Sequence, residues 1–240
     1  VVSDTDNESY VKYTDGLDIN LPGLLITEKN VPDANLRYVM REQLEANYNY
    51  IPQSVIDSTK IFSCSNCQIS SLEGLQYLTE LEVFYCKRND IAEFDVSKNT
   101  KLTEVYCSES KIQNLILGNK STLASLNCEN NQISSLDLSG YSELKILNAE
   151  ENVLLEEINV KGCNSLTVVR VSSPLLKKVD LSGITTLEEV YVSGLNNGRI
   201  DEVILDPNLS ELSELIINHG SFKSFEISDM PKLDDLTISY

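Results

Sequence analysis

Cysteine, histidine and carboxylate side chains are where reactive chemistry would reside in this 240-residue chain. There are six cysteines, and Cys64 and Cys67 stand at the CxxC spacing used by redox and zinc sites. His219 is the one histidine, so a Ser-His-Asp or Cys-His relay would have to run through it. It lies in NHGS with no nucleophile motif beside it, and the chain holds no GxSxG, P-loop or Gly-rich phosphate cradle. Asp and Glu number 37 against 19 Lys and Arg, so any carboxylate pair chosen as general acid and base would be arbitrary. These residues point to a chain that is no enzyme and holds no cofactor or metal.

The elements that must position these residues are repeats. Leu81, Leu102 and Leu123 each begin a copy of one 21-residue unit, and such a period is the signature of a solenoid. Within each copy apolar residues fall at the first, fourth and sixth places (Leu81, Phe84, Cys86; Leu102, Val105, Cys107; Leu123, Leu126, Cys128), with Ile91, Ile112 and Ile133 at the eleventh. Alternation at places four and six predicts a short strand with one buried face. A first coil runs from about Thr59, and later ones begin at Leu144, Leu166, Leu187, Leu212 and Leu233. A second apolar pair late in each unit, from Phe94 and Val96 through to Phe225 and Ile227, predicts another short strand on the outer side. The interval from Leu187 to Leu212 is 25 residues, and its excess falls mostly in GLNNGR, Gly194 to Arg199.

This register decides the chemistry. Cys64, Cys86, Cys107 and Cys128 share one inward place on successive coils, where a thiol serves as a small buried hydrophobe. A row of this kind cannot supply the four converging ligands that zinc requires. Cys163, in KGCNS, is the cysteine expected to be reachable. The informative positions are those that alternation turns outward. Place five reads Ser63, Tyr85, Tyr106, Asn127, Asn148, Arg170, Tyr191, Ile216, Thr237, and place seven includes Lys87, Glu129 and Glu150. Tyr and Arg are enriched at binding hot spots, so Tyr85, Lys87, Arg88, Tyr106, Arg170 and Tyr191 are the candidate ligand-binding residues; as a plain alternative, Tyr favours strands and covers its neighbours well.

The pattern LxxLxCxxNxI resembles the leucine-rich repeat, with Asn89, Asn131 and Asn152 at the consensus ninth place and Ser110 departing from it. The phrase VPDANLR, followed by ISSLEGLQYLTEL, is similar to the amino-terminal cap and first coil of internalin-like bacterial surface proteins. The resemblance implies a β-rich solenoid: a right-handed superhelix of coils of about 21 residues, a parallel front sheet, short outer strands and one N-terminal cap helix. Many relatives carry a calcium-type loop after that helix; here Glu45 to Ile51 lacks its run of Asp ligands. LDLS-type phrases such as Leu136 to Ser139 look like secreted leucine-rich repeat lipoproteins of Gram-negative gut anaerobes. That similarity implies an exported, surface-exposed, lipid-anchored bacterial protein whose signal and anchor are absent from this chain.

Three parts are expected: an acidic tether and lead-in over 1–30, a cap over 31–58 and the solenoid over 59–240. Within the first, Leu17 to Ile26 is apolar and is expected to lie against the first coil. In the cap, Leu36, Val39, Met40 and Leu44 fall on one helical face behind Pro32 and Asp33. No closing cap is visible after the last coil, whose edge is expected to be protected by the charges of Asp234 and Asp235, by self-association or by a segment missing from this sequence. A net charge of −18 repels nucleic acid and anionic membrane surfaces. The function expected is non-catalytic binding of a protein, host or bacterial, through the concave front sheet. The alternatives are a glycan-binding accessory protein, against which the lack of Trp counts, and a self-assembling envelope component.

Overall fold

The computed structural model describes residues 11–12, 18–19, 22–46, 49–196, 198–220 and 230–239. Most of the expected tether, Asn47 and Tyr48 of the calcium-type loop, the outer pair Phe225 and Ile227, and Tyr240 lie outside the described residues. β1 (Val11–Lys12) and β2 (Asp18–Ile19) pair antiparallel. β3 (Gly23–Leu25) pairs antiparallel with β4 (Tyr50–Pro52), with α1 (Ala34–Gln43) between them in sequence and α2 (Gln53–Ser58) directly after.

The cap has two features beyond those expected. The strand of the lead-in, β3, bonds to β4 inside the cap; Leu24, Leu25 and Ile26 are buried there, and the Tyr50 hydroxyl donates to the Pro22 carbonyl at 2.8 Å. The cap also has a second helix, α2, only six residues long and so too short for a helical period to show in the sequence. α1 forms because Asp33 accepts from the Asn35 and Leu36 backbone N–H groups at 2.9 and 2.8 Å, while Leu36, Val39 and Met40 line one buried face. The other Asp33 oxygen accepts from the backbone N–H and hydroxyl of Ser70 at 2.8 and 2.9 Å, riveting the helix to the first coil. Gln43, in the last turn of α1, bonds both backbone groups of Ser63, donating to its carbonyl and accepting from its N–H. An edge strand that would otherwise offer free backbone groups is thereby occupied.

From Ile61 onward front and back strands follow one another. β5 (Ile61–Ser63) and β6 (Val83–Tyr85) lie in front, β7 (Glu93–Asp95) behind, β8 (Glu104–Tyr106) in front, β9 (Asn114–Ile116) behind, β10 (Ser125–Asn127) in front and β11 (Ser135–Asp137) behind. β12 (Ile146–Ala149), β14 (Val168–Ser172), β16 (Glu189–Ser193), β18 (Glu214–Asn218) and β19 (Asp235–Ile238) continue the front, with β13 (Glu157–Asn159), β15 (Lys178–Leu181) and β17 (Glu202–Leu205) behind. The front strands form one parallel sheet of nine, in coil order. Among the described residues the outer strands do not: they pair as β7 with β9, β11 with β13, and β15 with β17. Between β13 and β15 lies a groove of about 620 Å³ lined by Asp137, Glu157, Asn159 and Lys178 among others.

The core is the stacked inward places. Phe84, Cys86, Val105, Cys107, Leu126, Cys128, Leu147 and Ala149 are all fully buried, each larger aliphatic or aromatic side chain contributing on the order of 1.5–3 kcal/mol. Asn131 supplies the polar counterpart. Its Oδ1 accepts from the Ser110 and Ile112 N–H groups, both at 3.0 Å, and its Nδ2 donates to the carbonyls of Cys107, Cys128 and Glu129. Asn89 and Asn152 repeat much of this pattern. Ser110, the departure from consensus, donates its shorter hydroxyl to the Cys86 and Ser108 carbonyls. In these same coils the chain leaves each front strand through a left-handed residue at place eight: Asn66, Arg88, Glu109, Asn130 and Glu151, with φ between 51° and 58°. From Leu166 onward Pro174 replaces the asparagine, and β14, β16 and β18 lengthen to five residues.

Candidate recognition surface

The front sheet aligns the outward row as the repeat register requires. Tyr85 is level with Tyr106, Tyr106 with Asn127, Asn148 with Arg170, and Arg170 with Tyr191. Two groups of candidate residues result, separated by Asn127 and Asn148. In the first, the rings of Tyr85 and Tyr106 stack at 4.9 Å between centroids and 7° between planes, and the Lys87 ammonium sits 5.3 Å from the Tyr106 centroid. The Tyr106 hydroxyl donates to Glu104 at 2.7 Å. Burial raises the Tyr106 pKa and that bond to Glu104 adds to it, against a bond with Ser125 that lowers it. Arg88 completes the group, its Nε 3.1 Å from both carboxylate oxygens of Glu109 on the next coil. In the second group Arg170 Nη2 donates to Glu189 at 3.0 Å, with Tyr191 beside Arg170 in the row.

The row at place three also faces outward, and the sequence reading passed over it. It carries Ile61, Val83, Glu104, Ser125, Ile146, Val168, Glu189, Glu214 and Asp235 in register. The signal was available, since alternation that turns place five outward turns place three outward as well. These residues supply the acids that hold Tyr106 and Arg170.

The interior thiols make no reactive site. Cys64 and Cys86 are buried with their sulfurs 3.3 Å apart, and this contact together with burial pushes the Cys64 thiol well up. Burial, against a backbone bond that lowers it, pushes Cys128 up to about 12, so it holds no nucleophilic thiolate at neutral pH. Cys163 is not reachable, contrary to expectation. It is fully buried, its thiol donating to the Leu138 carbonyl at 3.0 Å. It belongs to a column three residues ahead of the leading leucines that is inward at Leu78, Asn99, Tyr141, Ile184 and Leu209 and broken by the exposed Lys120. His219 is an exposed turn residue at φ 57° whose carbonyl accepts from the Ile200 N–H. No cluster of metal-ligating side chains occurs among the described residues. None of their helices is long and apolar enough to cross a membrane.

A stack of parallel coils with an asparagine ladder and an edge-bonding helical cap defines a leucine-rich repeat solenoid. No protein-family model and no curated protein matches the chain. Among solved structures, the functional domain of InlJ from Listeria monocytogenes, described as including a cysteine ladder, aligns at a TM-score of 0.59 and 20% identity, over 87% of this chain and 52% of that one. The chain thus spans about half the length of that domain. Internalin C2 from the same organism aligns at a TM-score of 0.56 and 16% identity, over 94% of this chain and 100% of that one. At these identities the likeness is one of fold: the solenoid is internalin-like.

Proposed function

We propose that this chain is a non-catalytic recognition module that binds a protein ligand across its front sheet, at the surface of a bacterial cell. The observation that carries this reading is the Tyr85–Tyr106 stack with Lys87 against the ring and the Arg88–Glu109 pair alongside. Such a cluster is costly to assemble for solubility alone, and it matches the aromatic and cationic anchors of protein interfaces. A glycan ligand fits less well, because sugars stack on open ring faces and here each ring turns one face to the other. Surface location, with a lipid anchor, is carried by the resemblance of the cap and the LDLS-type phrases.

The test passes labelled wild-type chain and a Tyr85→Ala/Tyr106→Ala variant over paired arrays of host proteins and glycans. A protein hit that the variant loses is the expected outcome. A hit the variant retains, or hits confined to glycans, would overturn the reading. Self-assembly is checked by light scattering across concentration, where the module reading expects constant mass.

A further inference from the structure

The edge at which the front strands end changes character along the stack. In the coils that begin at Leu81, Leu102 and Leu123, the tenth place holds Asp90, Lys111 and Gln132. Lys111 lies 2.8 Å from Asp90, and Gln113 donates to Gln132 at 3.3 Å. In the next two coils the equivalent positions hold Val153 and Leu154, then Leu175, left 45%, 45% and 42% exposed. Each of these leucines directly precedes a fully buried one, Leu155 or Leu176, so the backbone there is fixed by the core and the exposed side chains are held in place.

The patch is walled and charged. On one side Pro174 packs against Gly198 of the inserted loop, where a Cβ would come within 2.2 Å of the Pro174 Cα and 1.9 Å of the Gly194 carbonyl oxygen, so only glycine permits the contact. Toward the front sheet stand Glu129, Glu150 and Glu151. Burial raises the Glu150 pKa; Arg170 opposes this, and Glu129 and Glu151 add to it. No Lys or Arg forms an ion pair with these three acids among the described residues, and the Arg170 guanidinium is bound to Glu189. Three acids with no ion-pair partner, only Glu150 feeling the charge of an Arg170 already bonded to Glu189, lie along the chain from exposed aliphatics, and the complement of such a surface is cationic and apolar.

We propose that this edge docks a basic segment of a protein partner, with an aliphatic or aromatic side chain resting on Val153, Leu154 and Leu175 and flanking Lys or Arg residues meeting Glu129, Glu150 and Glu151. A second copy of this chain, at a net charge of −18, would be repelled, so the occupant is a different, cationic chain. The edge is separate from the tyrosine cluster and stands whether or not that cluster binds.

The experiment selects a displayed library of random dodecapeptides on the immobilised full chain and counter-selects on a Leu154→Ser/Leu175→Ser variant, whose exposed substitutions leave the fold intact by circular dichroism. Peptides lost on the variant are expected to carry net positive charge and a Leu, Ile, Phe or Tyr. A synthetic peptide of the most enriched sequence is expected to bind about tenfold more weakly to that variant, and likewise to Glu129→Gln/Glu150→Gln/Glu151→Gln. It should bind within about twofold of wild type to Tyr85→Ala/Tyr106→Ala. The proposal is overturned if no peptide distinguishes the variant, if the distinguishing peptides are neutral or acidic, or if the glutamine variant binds undiminished. A peptide lost only on the tyrosine variant also overturns it, while favouring the front-sheet reading.

Discussion

The coils before Leu166 and those after it hold the same cross-section by different means. In the earlier coils strands of three or four residues are supplemented by buried asparagine side chains that bond backbone groups of neighbouring coils. In the later coils Pro174 ends the ladder, and five-residue strands rich in Val168, Val169, Val171, Val190 and Val192 carry the register through backbone bonds instead. β-branched side chains suit that pleated surface. The lesson is that a solenoid can exchange side-chain amides for backbone length, and the exchange alters its edge. The exposed patch of Val153, Leu154 and Leu175 sits where one scheme gives way to the other.

The largest expected effect lies in the earlier scheme. Asn131→Ala removes five bonds and strands the buried N–H groups of Ser110 and Ile112. At roughly 1–3 kcal/mol per orphaned group, a loss of about 3–5 kcal/mol is expected in urea unfolding, with accelerated hydrogen exchange at those two amides. A loss under about 1 kcal/mol would mean the ladder is ornament and the earlier coils rely on their core alone.

Next comes Asp33, which ties the cap to the earlier coils. Burial raises its pKa, but the bonds from Ser70, Leu36 and Asn35 outweigh this and lower it. A depressed acid stabilises the fold above its unfolded pKa of about 4, and that contribution disappears as the pH falls through the folded value. Asp33→Asn is therefore expected to cost about 1–2 kcal/mol near neutral pH and progressively less in acid. A pH-independent difference would contradict the assignment.

In the later scheme the corresponding polar residue is Ser173, whose hydroxyl donates to the Leu155 carbonyl at 2.7 Å and accepts from the Leu175 N–H at 3.1 Å. Ser173→Ala is expected to cost about 1–2 kcal/mol, well below Asn131→Ala. If the two cost the same, the longer strands do not share the work and the contrast fails. Smallest is Arg88→Ala, which breaks a solvent-screened pair with Glu109 and is expected to leave the urea midpoint unchanged; its consequences should appear in ligand binding.

Much of this was readable in the residues because a repeat samples each position many times. Phe84, Val105 and Leu126 declared the inward row, and Tyr85 and Tyr106 the outward one, since alternation leaves no other choice. The single-copy contacts were not readable. Nothing periodic announces that Gln43 reaches the edge of β5, that Asp33 bonds Ser70, or that β3 finds β4, as these join segments of different character across the cap. Cys163 was misjudged because Gly162 and Asn164 beside it read as a turn; the column of Tyr141, Ile184 and Leu209 at the same offset was the overlooked clue. The front residues could be placed but not joined: that Tyr106 stacks on Tyr85 while Arg170 pairs with Glu189 depends on rotamers, which spacing does not fix.

Among the described residues the outer strands are joined in twos, which gives this part of the solenoid a segmented spine. Backbone bonds run uninterrupted along the front but lapse behind, between β9 and β11 and between β13 and β15. A bending load would therefore concentrate at those two seams, opening or closing the back like the joints of a folding rule while the front sheet keeps its register. The second seam falls behind the coils that carry Leu154 and Leu175. A partner gripping that edge would be holding the molecule at a joint, and its grip would set the curvature of everything beyond.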